Sequence, residues 1–536
     1  MRGYFTADEV RAAEAELFTR VPAGMPMRRA AFGLADVVAR ELRTRTGGVA
    51  GRTVTLLVGS GDNGGDALWA GSMLRRRGVA VNAVLLSPER AHREGLAALR
   101  RTGGRVRTDL GTPDLVVDGI VGISGRGPLR PNAAELVAAV AVPIIAADLP
   151  SGVDPDTGAV AGPAVRADVT VAFGAYKPVH ALAAAWCGRI ELVPIGLRLG
   201  RPDVPVMADE KSKSAATASD SNADTGLLQL ALTEWEADML GGQRLPQPSL
   251  LALEHESIGA HWPVPGAEDD KYSQGVTGVC AGSSTYPGAA VLCTGAAVAA
   301  TSGMVRYAGS GAAEVLAHFP EVIAAPTVSA TGRVQAWVFG PGAGTDDEAR
   351  ARLAEILATD LPVVVDADGL TLLASDPSLV TNRTAPTVLT PHAGEFARLT
   401  GQDPSPDRVS AVRKLADSWQ VTVLLKGRAT VIATPSRPVL VNEAGGSWAA
   451  TAGSGDVLSG MIGALLAAGR DPSWAAAAAA RAHSLAANLA AHETTASGAP
   501  ISASPLQSHV RTAIGILRDL GSATAGHPPR VSRPNG

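Results

Sequence analysis

The 536-residue chain is 46% hydrophobic and 18% charged, with a formal net charge of −4. That balance excludes a disordered chain and lacks the basic field that nucleic-acid binding requires. The length calls for at least two hydrophobic cores, and the three cysteines, Cys187, Cys280 and Cys293, make neither a disulfide framework nor a metal-ligand spacing.

The first twenty residues carry acidic groups in an amphipathic pattern where a secretion signal needs an apolar core, so the expectation is a soluble cytoplasmic protein. Thr6 followed by Glu9 predicts a capping box at the head of a helix, and residues 27–45 predict a second helix. Apolar runs at 53–59, 79–86, 114–122, 142–150 and 167–174 then alternate with helix-length segments. Buried parallel strands with crossover helices follow, giving a Rossmann-like three-layer α/β domain.

The first of these strands runs into Ser60, Gly61, Asp62, Asn63, Gly64, Gly65 and Asp66, a small-residue turn before a helix expected from Ala67. N–H groups at such a helix start can face an anion, although a Gly-rich turn alone is equally a tight turn. Later strand ends carry Asp118, Asp148, Ser151 and Lys177. Asn63, Asp118 and Ser151 offer only oxygen ligands of modest charge, which suits a hard monovalent cation such as K+ better than zinc. Asp148 either shuttles a proton or caps a turn.

Residues 207–225 are small, polar and aperiodic, the composition of a flexible linker between domains 1–206 and 226–521, and 522–536 have the composition of a disordered tail. In the second half the strand-like runs 276–283, 333–342, 361–368, 386–392 and 421–427 each end in polar residues or glycine. In open parallel sheets that edge binds ligands. Asp366 and Asp368 close one run, His392 another and Lys426 a third. A lone His is as often structural as functional. Lys426, Gly427, Arg428, Ala429 and Thr430 could hold nucleotide phosphates by a cation and loop amides. The strongest motif is Ala452, Gly453, Ser454, Gly455 and Asp456 ahead of an apolar helix. Its glycines let N–H groups converge on a phosphoryl group with Asp456 as base, against the plainer reading of an Asp favoured by the helix dipole. The Ala-rich stretch 474–491 holds Arg481, His483 and Asn488 and predicts a buried helix rather than a membrane span.

The first two hundred residues resemble the epimerase domain of the NAD(P)H-hydrate repair family. The resemblance implies that Asp62, Asn63, Gly64, Gly65 and Asp66 bind the hydrated nucleotide. It assigns K+ to Asn63, Asp118 and Ser151. Substrate phosphate falls to Gly122, Ile123, Ser124, Gly125, Arg126, Gly127 and Pro128, and acid/base work at the nicotinamide ring to Asp148. Asp62 stands where the family usually has Asn, and Pro26 to Ala30 depart from its usual second-helix pattern. Residues 226–520 resemble the ribokinase-like superfamily and, within it, the ADP- or ATP-dependent NAD(P)H-hydrate dehydratases. That implies a ribokinase-like α/β domain in which Ala289 or Ala290, Gly342, His392 and Asp456 contact the hydrate. Lys426 to Thr430 and Gly455 would bind the adenine nucleotide, with Mg2+ sharing its charge. Residues 270–275 depart from the family's usual Ser-His-Lys-Gly. The substrates implied are NADHX and NADPHX, with no nucleic-acid or membrane partner and with homo-oligomers left open. The alternative is a ribokinase-like small-molecule kinase fused to a noncatalytic nucleotide-binding module, because the Asp456 loop is shared across the superfamily.

Overall fold

The Glu9 N–H donates to Thr6 Oγ1 at 3.3 Å and the Thr6 N–H to the Glu9 carboxylate at 2.6 Å, closing the predicted capping box ahead of helix Ala7–Arg20. The second predicted helix spans Met25–Thr46 and ends on left-handed Gly47. The computed structural model describes residues 1–200, 245–301 and 303–524. The linker expected at 207–225 lies outside them. By their contacts, described residues 3–200 and 245–250 form one unit, and residues from 251 onward, with Met1 and Arg2, form another.

The first unit is built on a seven-stranded sheet. In spatial order its strands are Arg105–Arg107, Ala80–Leu85, Thr53–Val58, Leu115–Gly119, Ile144–Ala147, Val169–Phe173 and Arg189–Val193, every neighbour parallel. Alternate strand residues serve opposite faces: Leu56, Val117 and Ile145 enter one core cluster, while Leu57, Val116 and Ala146 enter another. That is the three-layer arrangement expected of strands buried on both sides. The chain order reverses between Thr53–Val58 and Leu115–Gly119, so the crevice beyond their carboxyl ends is the topological switch point.

The second unit is an α/β fold on a mostly parallel sheet. Thr422–Leu425, Thr387–Leu389, Val363–Val365, Ala336–Phe339, Val276–Cys280, Met304–Ala308 and Ile323–Ala325 run parallel. Ala429–Ala433 and Val439–Glu443 add on antiparallel beyond Thr422–Leu425. One large apolar cluster covers a face of this sheet with helices Pro287–Ala300, Ser454–Ala467 and Pro472–Ala491. The last is the Ala-rich segment, buried along most of its length. Helix Val510–Thr524 continues past Ser522, where composition alone suggests that a tail begins; residues 525–536 lie outside the described set. Among the described residues no helix is long and apolar enough to cross a membrane, and none of the three cysteines is in a disulfide.

Candidate active sites

In the first unit the helix expected from Ala67 starts at Asp62 and runs to Arg76. Asp62 to Asp66 are therefore its first turn rather than a loop before it. The cause is close packing: a Cβ on Gly64 would stand 2.4 Å from the Gly59 carbonyl oxygen, so the helix can begin hard against the strand end only without side chains there. The N–H groups of this turn face the switch-point crevice, where the helix dipole favours an anion.

Asp118 lies at the end of the adjacent strand, fully buried. Its carboxylate accepts the Ser151 N–H at 2.8 Å, the Ser151 hydroxyl at 2.7 Å and the Ile120 N–H at 3.1 Å. Burial nonetheless pushes its pKa up to about 6 against those bonds. Asn63 flanks the same loop: a Cβ on Gly122 would sit 3.5 Å from Asn63 Oδ1, and the buried Asn63 Nδ2 has no partner. One carboxylate and two neutral oxygen groups form a hard donor set of the kind a K+-sized ion takes, while the unsatisfied Asn63 amide N–H calls for an acceptor rather than a cation.

Asp148 holds φ at 68°, a left-handed conformation that costs a non-glycine residue about 1–3 kcal/mol. The structure that enforces it is local. Lys177, 1% exposed, pairs its ammonium with Asp148 and donates to the Phe173 carbonyl at 2.8 Å. The His180 ring accepts the Lys177 N–H at Nδ1 (3.0 Å), which leaves Nε2–H to donate to the Asp148 carbonyl at 2.9 Å. Burial first, then Lys177, lowers His180 to about 4, so it is neutral and holds one tautomer. Asp66 is buried with Oδ1 unpartnered, and burial followed by Asp148, Asp62 and Glu14 raises its pKa well above the carboxylate range. The 122–128 loop is half-buried to exposed, and Arg126 pairs outward with Asp156 at 3.1 Å.

In the second unit four adjacent strand ends converge. Asp366, 1% exposed, accepts from Lys426 Nζ at 2.7 Å and from Ser459 Oγ at 2.7 Å. Lys426 also lies 3.6 Å from Glu395. Burial opposes its charge, but Asp366 and then Glu395 outweigh it and hold the ammonium above its usual pKa. The hairpin that carries Lys426 is braced by half-buried Arg408, which donates to the Ala429, Lys426 and Leu425 carbonyls at 3.0, 3.3 and 3.4 Å. Thr430 turns inward to the Gly427 carbonyl at 3.0 Å. What this segment presents outward is the backbone at Gly427 and Arg428, not the lysine.

Left-handed Gly453 caps helix Ser454–Ala467, and His483 fixes that start by a 2.9 Å bond to the Ser454 carbonyl. A Cβ on Gly455 would meet Lys426 Nζ at 3.3 Å and Asp366 Oδ2 at 3.7 Å, which seats the motif directly on the lysine pair. Asp456 follows, half-buried, its pKa pushed up to about 7 by burial first and Asp366 second, with Lys426 opposing. It is thus a carboxylate poised to gain or lose a proton near neutrality. Gly342 packs against Ala289, its notional Cβ 2.9 Å from the alanine's, while Ala290 is buried. His392 is exposed, and its Nδ1 caps helix Ala393–Thr400 by accepting from the Gly394 and Glu395 N–H groups. A cavity of about 570 Å3 between Trp262, Phe319 and Arg511 is lined by none of these residues. Among the described residues no group of three or more His, Cys, Asp or Glu is arranged to hold a metal.

Residues 24–179 match the family described as YjeF-related protein N-terminus, and residues 277–506 the family described as NAD(P)H-hydrate dehydratase. The bifunctional NAD(P)H-hydrate repair enzyme of Mycobacterium tuberculosis is 58% identical over 521 residues, covering 96% of this chain and 100% of that one. This chain belongs to the bifunctional NAD(P)H-hydrate repair enzymes. The Corynebacterium glutamicum enzyme of the same name is 39% identical, with 87% of each chain covered. Among solved structures, the ADP/ATP-dependent NAD(P)H-hydrate dehydratase of Bacillus subtilis, co-crystallised with ATP/Mg2+, is 26% identical at a TM-score of 0.45, covering 50% of this chain and 98% of that one.

In this hydrate-repair enzyme, sequence reasoning named Asp366 and Lys177 as strand-end groups without giving them work. It passed over Ser459, His180, Arg408 and Glu14 altogether. Ser459 and His180 carried a usable signal, each standing three residues after a motif residue on the same helix face. Arg408 carried none, because its partners are backbone carbonyls from a distant hairpin.

Proposed function

We propose that this chain returns hydrated NADH and NADPH to NAD(P)H in two reactions. The domain within residues 1–206 interconverts the R and S hydrates, and the domain within 226–521 dehydrates the S form with ADP or ATP through a phosphorylated intermediate. The observation that carries the reading is Asp456: a half-buried carboxylate with a pKa near 7, one residue from Gly455 and beside a glycine-capped helix start.

The dehydration assigns each group a step. Asp456 takes the proton of the ring's C6 hydroxyl, whose oxygen attacks the terminal phosphorus of the nucleotide. Amides at the start of helix Ser454–Ala467 stabilise charge on the transferred group, and the exposed Gly427–Arg428 turn receives the remaining phosphates. The C6–O bond then breaks with phosphate as leaving group, and loss of a neighbouring ring proton restores the dihydropyridine. By the family resemblance, Ala289, Gly342 and His392 would hold the hydrate. Mg2+ bound with the nucleotide would neutralise phosphate charge.

In the epimerase domain the amides of Asp62 to Asp66 and the 122–128 loop receive the substrate's phosphates, and Asp148 shuttles a proton beside the reacting ring. K+ on Asn63, Asp118 and Ser151 would offset the negative charge that Asp62 adds beside those phosphates. The test uses full-length protein, mixed NADHX epimers, ADP and Mg2+, with recovery of reduced-nicotinamide absorbance as readout. Full conversion of both epimers, with one phosphate released per NADH, is expected; accumulation of a stable phosphorylated product would instead indicate a small-molecule kinase.

A further inference from the structure

Helix Ala7–Arg20 buries Ala7, Val10, Ala13 and Leu17, and Glu14 falls in the middle of that stripe, four residues from Val10. A carboxylate there is out of place by the packing rule, since nothing apolar is gained by it. The helix is fastened onto the epimerase site. The Phe5 N–H donates to the Tyr176 carbonyl at 2.8 Å, the Ala7 N–H to Asp156 Oδ1 at 2.7 Å, and Arg11 Nη2 to the Ile123 carbonyl at 3.2 Å. Phe5 and Val10 pack on Ala175, two residues before Lys177.

Glu14 stands on this fastened helix, half-buried and close enough to the crevice that Asp148, Lys177 and Asp62 act on it from three other elements and Arg11 from its own helix. Asp66 faces the same space, since Asp148, Asp62 and Glu14 all act on its carboxylate. It is 7% exposed and its Oδ1 has no partner, so a polar group is missing from this space rather than water-filled surface surrounding it. Lys177 is committed to Asp148 and the Phe173 carbonyl, which leaves Glu14 without that cation as a direct partner. Burial first, and Asp148 second, hold its carboxyl above the usual range.

We propose that Glu14 is a second catalytic residue of the epimerase, the acid that protonates the departing C6 hydroxyl while Asp148 receives the proton of the water that replaces it. This rests on the epimerase reading above. Glu14 gives its proton to the hydroxyl oxygen as the C6–O bond breaks, and the bonding pair leaves with water. The ring nitrogen's lone pair forms the N1=C6 double bond. Water then adds to the opposite face of C6, the double-bond pair returns to nitrogen, and the released proton passes to Asp148. One water leaves and one enters, and one proton moves from Glu14 to Asp148; the opposite epimer reacts with the roles reversed. The division of labour follows from the pairing, because the Lys177 ammonium bonds Asp148 directly, whereas at Glu14 burial outweighs the opposing charges of Lys177 and Arg11.

The test measures interconversion of purified NADHX epimers by full-length protein without nucleotide. Glu14→Gln is expected to lower kcat about a hundredfold with KM within about threefold, and to leave ADP-dependent dehydration of the S epimer unchanged. The wild-type rate should fall as rising pH deprotonates Glu14, and the residual rate of Glu14→Gln should lack that fall. Glu14→Asp, which keeps the acid, should recover part of the rate and keep the alkaline fall. An epimerisation rate in Glu14→Gln within threefold of wild type overturns the proposal. So does a lowered rate that retains the alkaline fall, because Glu14 would then only support the helix. If Glu14→Gln folds poorly, a Glu14→Ala rate within threefold of wild type overturns it, as does a folded Glu14→Asp that has lost the alkaline fall. Wild-type protein that does not interconvert the epimers at all would refute the epimerase reading instead.

Discussion

Each of the two sites pairs one lysine, buried at Lys177 and half-buried at Lys426, with one buried carboxylate, but the lysine is spent differently. In the first unit Lys177 holds Asp148, the carboxylate assigned to the reacting ring. In the second, Lys426 holds Asp366, and Asp456 on the next helix is left with a pKa near 7. A reaction that must strip a proton from an alcohol needs a base poised near neutrality, and desolvation beside a second negative charge supplies one. A reversible exchange needs two carboxylates in different settings, and a lysine bonded directly to one of them sets the two apart. The same pair of residue types thus does different work according to which carboxylate the ammonium neutralises.

The sharpest way to break this comparison is Asp456→Asn, expected to lower dehydration of the S epimer by about 10^2–10^4-fold while epimerisation continues. The same change should stabilise the protein. The folded pKa of Asp456 lies above its model value of 3.8 at about 7. Its proton-linked stability is therefore complete below the unfolded pKa and lost as pH rises through about 7. At pH 8 the variant should gain about 2–4 kcal/mol, read as a raised midpoint of the second unfolding transition, and at pH 4 almost none. A destabilised variant at pH 8 would mean that the Asp456 charge is paid for by contacts not seen here. Asp148→Asn comes next, with about 10^2-fold slower epimerisation expected and unchanged dehydration, because the Lys177 ammonium would lose its counter-charge inside the fold.

A smaller effect tests whether Asp366 tunes Asp456. Dehydration should rise with pH through about 7, where Asp456 loses its proton. Asp366→Asn removes the second-largest cause of that raised value, so the acid limb should move to lower pH. Its plateau should fall only about tenfold if the loss is one of positioning. An unmoved limb would show that burial alone sets the value.

The fold was legible in advance wherever hydrophobic period and punctuation agreed. The strand runs ending at Val58, Gly119, Ala147 and Phe173 lie inside their predicted spans, because a strand buried on both faces leaves an unbroken apolar run in the sequence. Short edge strands such as Arg105–Arg107, exposed throughout, left no such run. The start of helix Asp62–Arg76 was misjudged by five residues, since Gly64 and Gly65 read as turn-formers when their role is to let the helix touch the strand. Asp456 stood out because its partners are neighbours in sequence. The pairing of Asp366 with Lys426 and Ser459 joins residues 60 and 93 positions apart, and no local pattern carries that.

The smallest effect concerns a feature the two sites share. Each puts a non-glycine in left-handed backbone just after a strand, Asp148 at φ 68° and Ala367 at φ 47°. Asp148 cannot be exchanged for glycine without losing its carboxylate, so there the strain accompanies the chemistry. Ala367 contributes only a methyl group, between Asp366, which grips Lys426, and Asp368, whose carboxylate accepts the Gly344 N–H at 2.9 Å. Ala367→Gly should therefore relieve strain while adding freedom to the unfolded chain, for a net gain of at most about 1 kcal/mol. Its informative readout is the pH profile of dehydration. An unchanged profile means that the strained backbone is merely tolerated, whereas an acid limb displaced as in Asp366→Asn means that it aims Asp366 at Lys426.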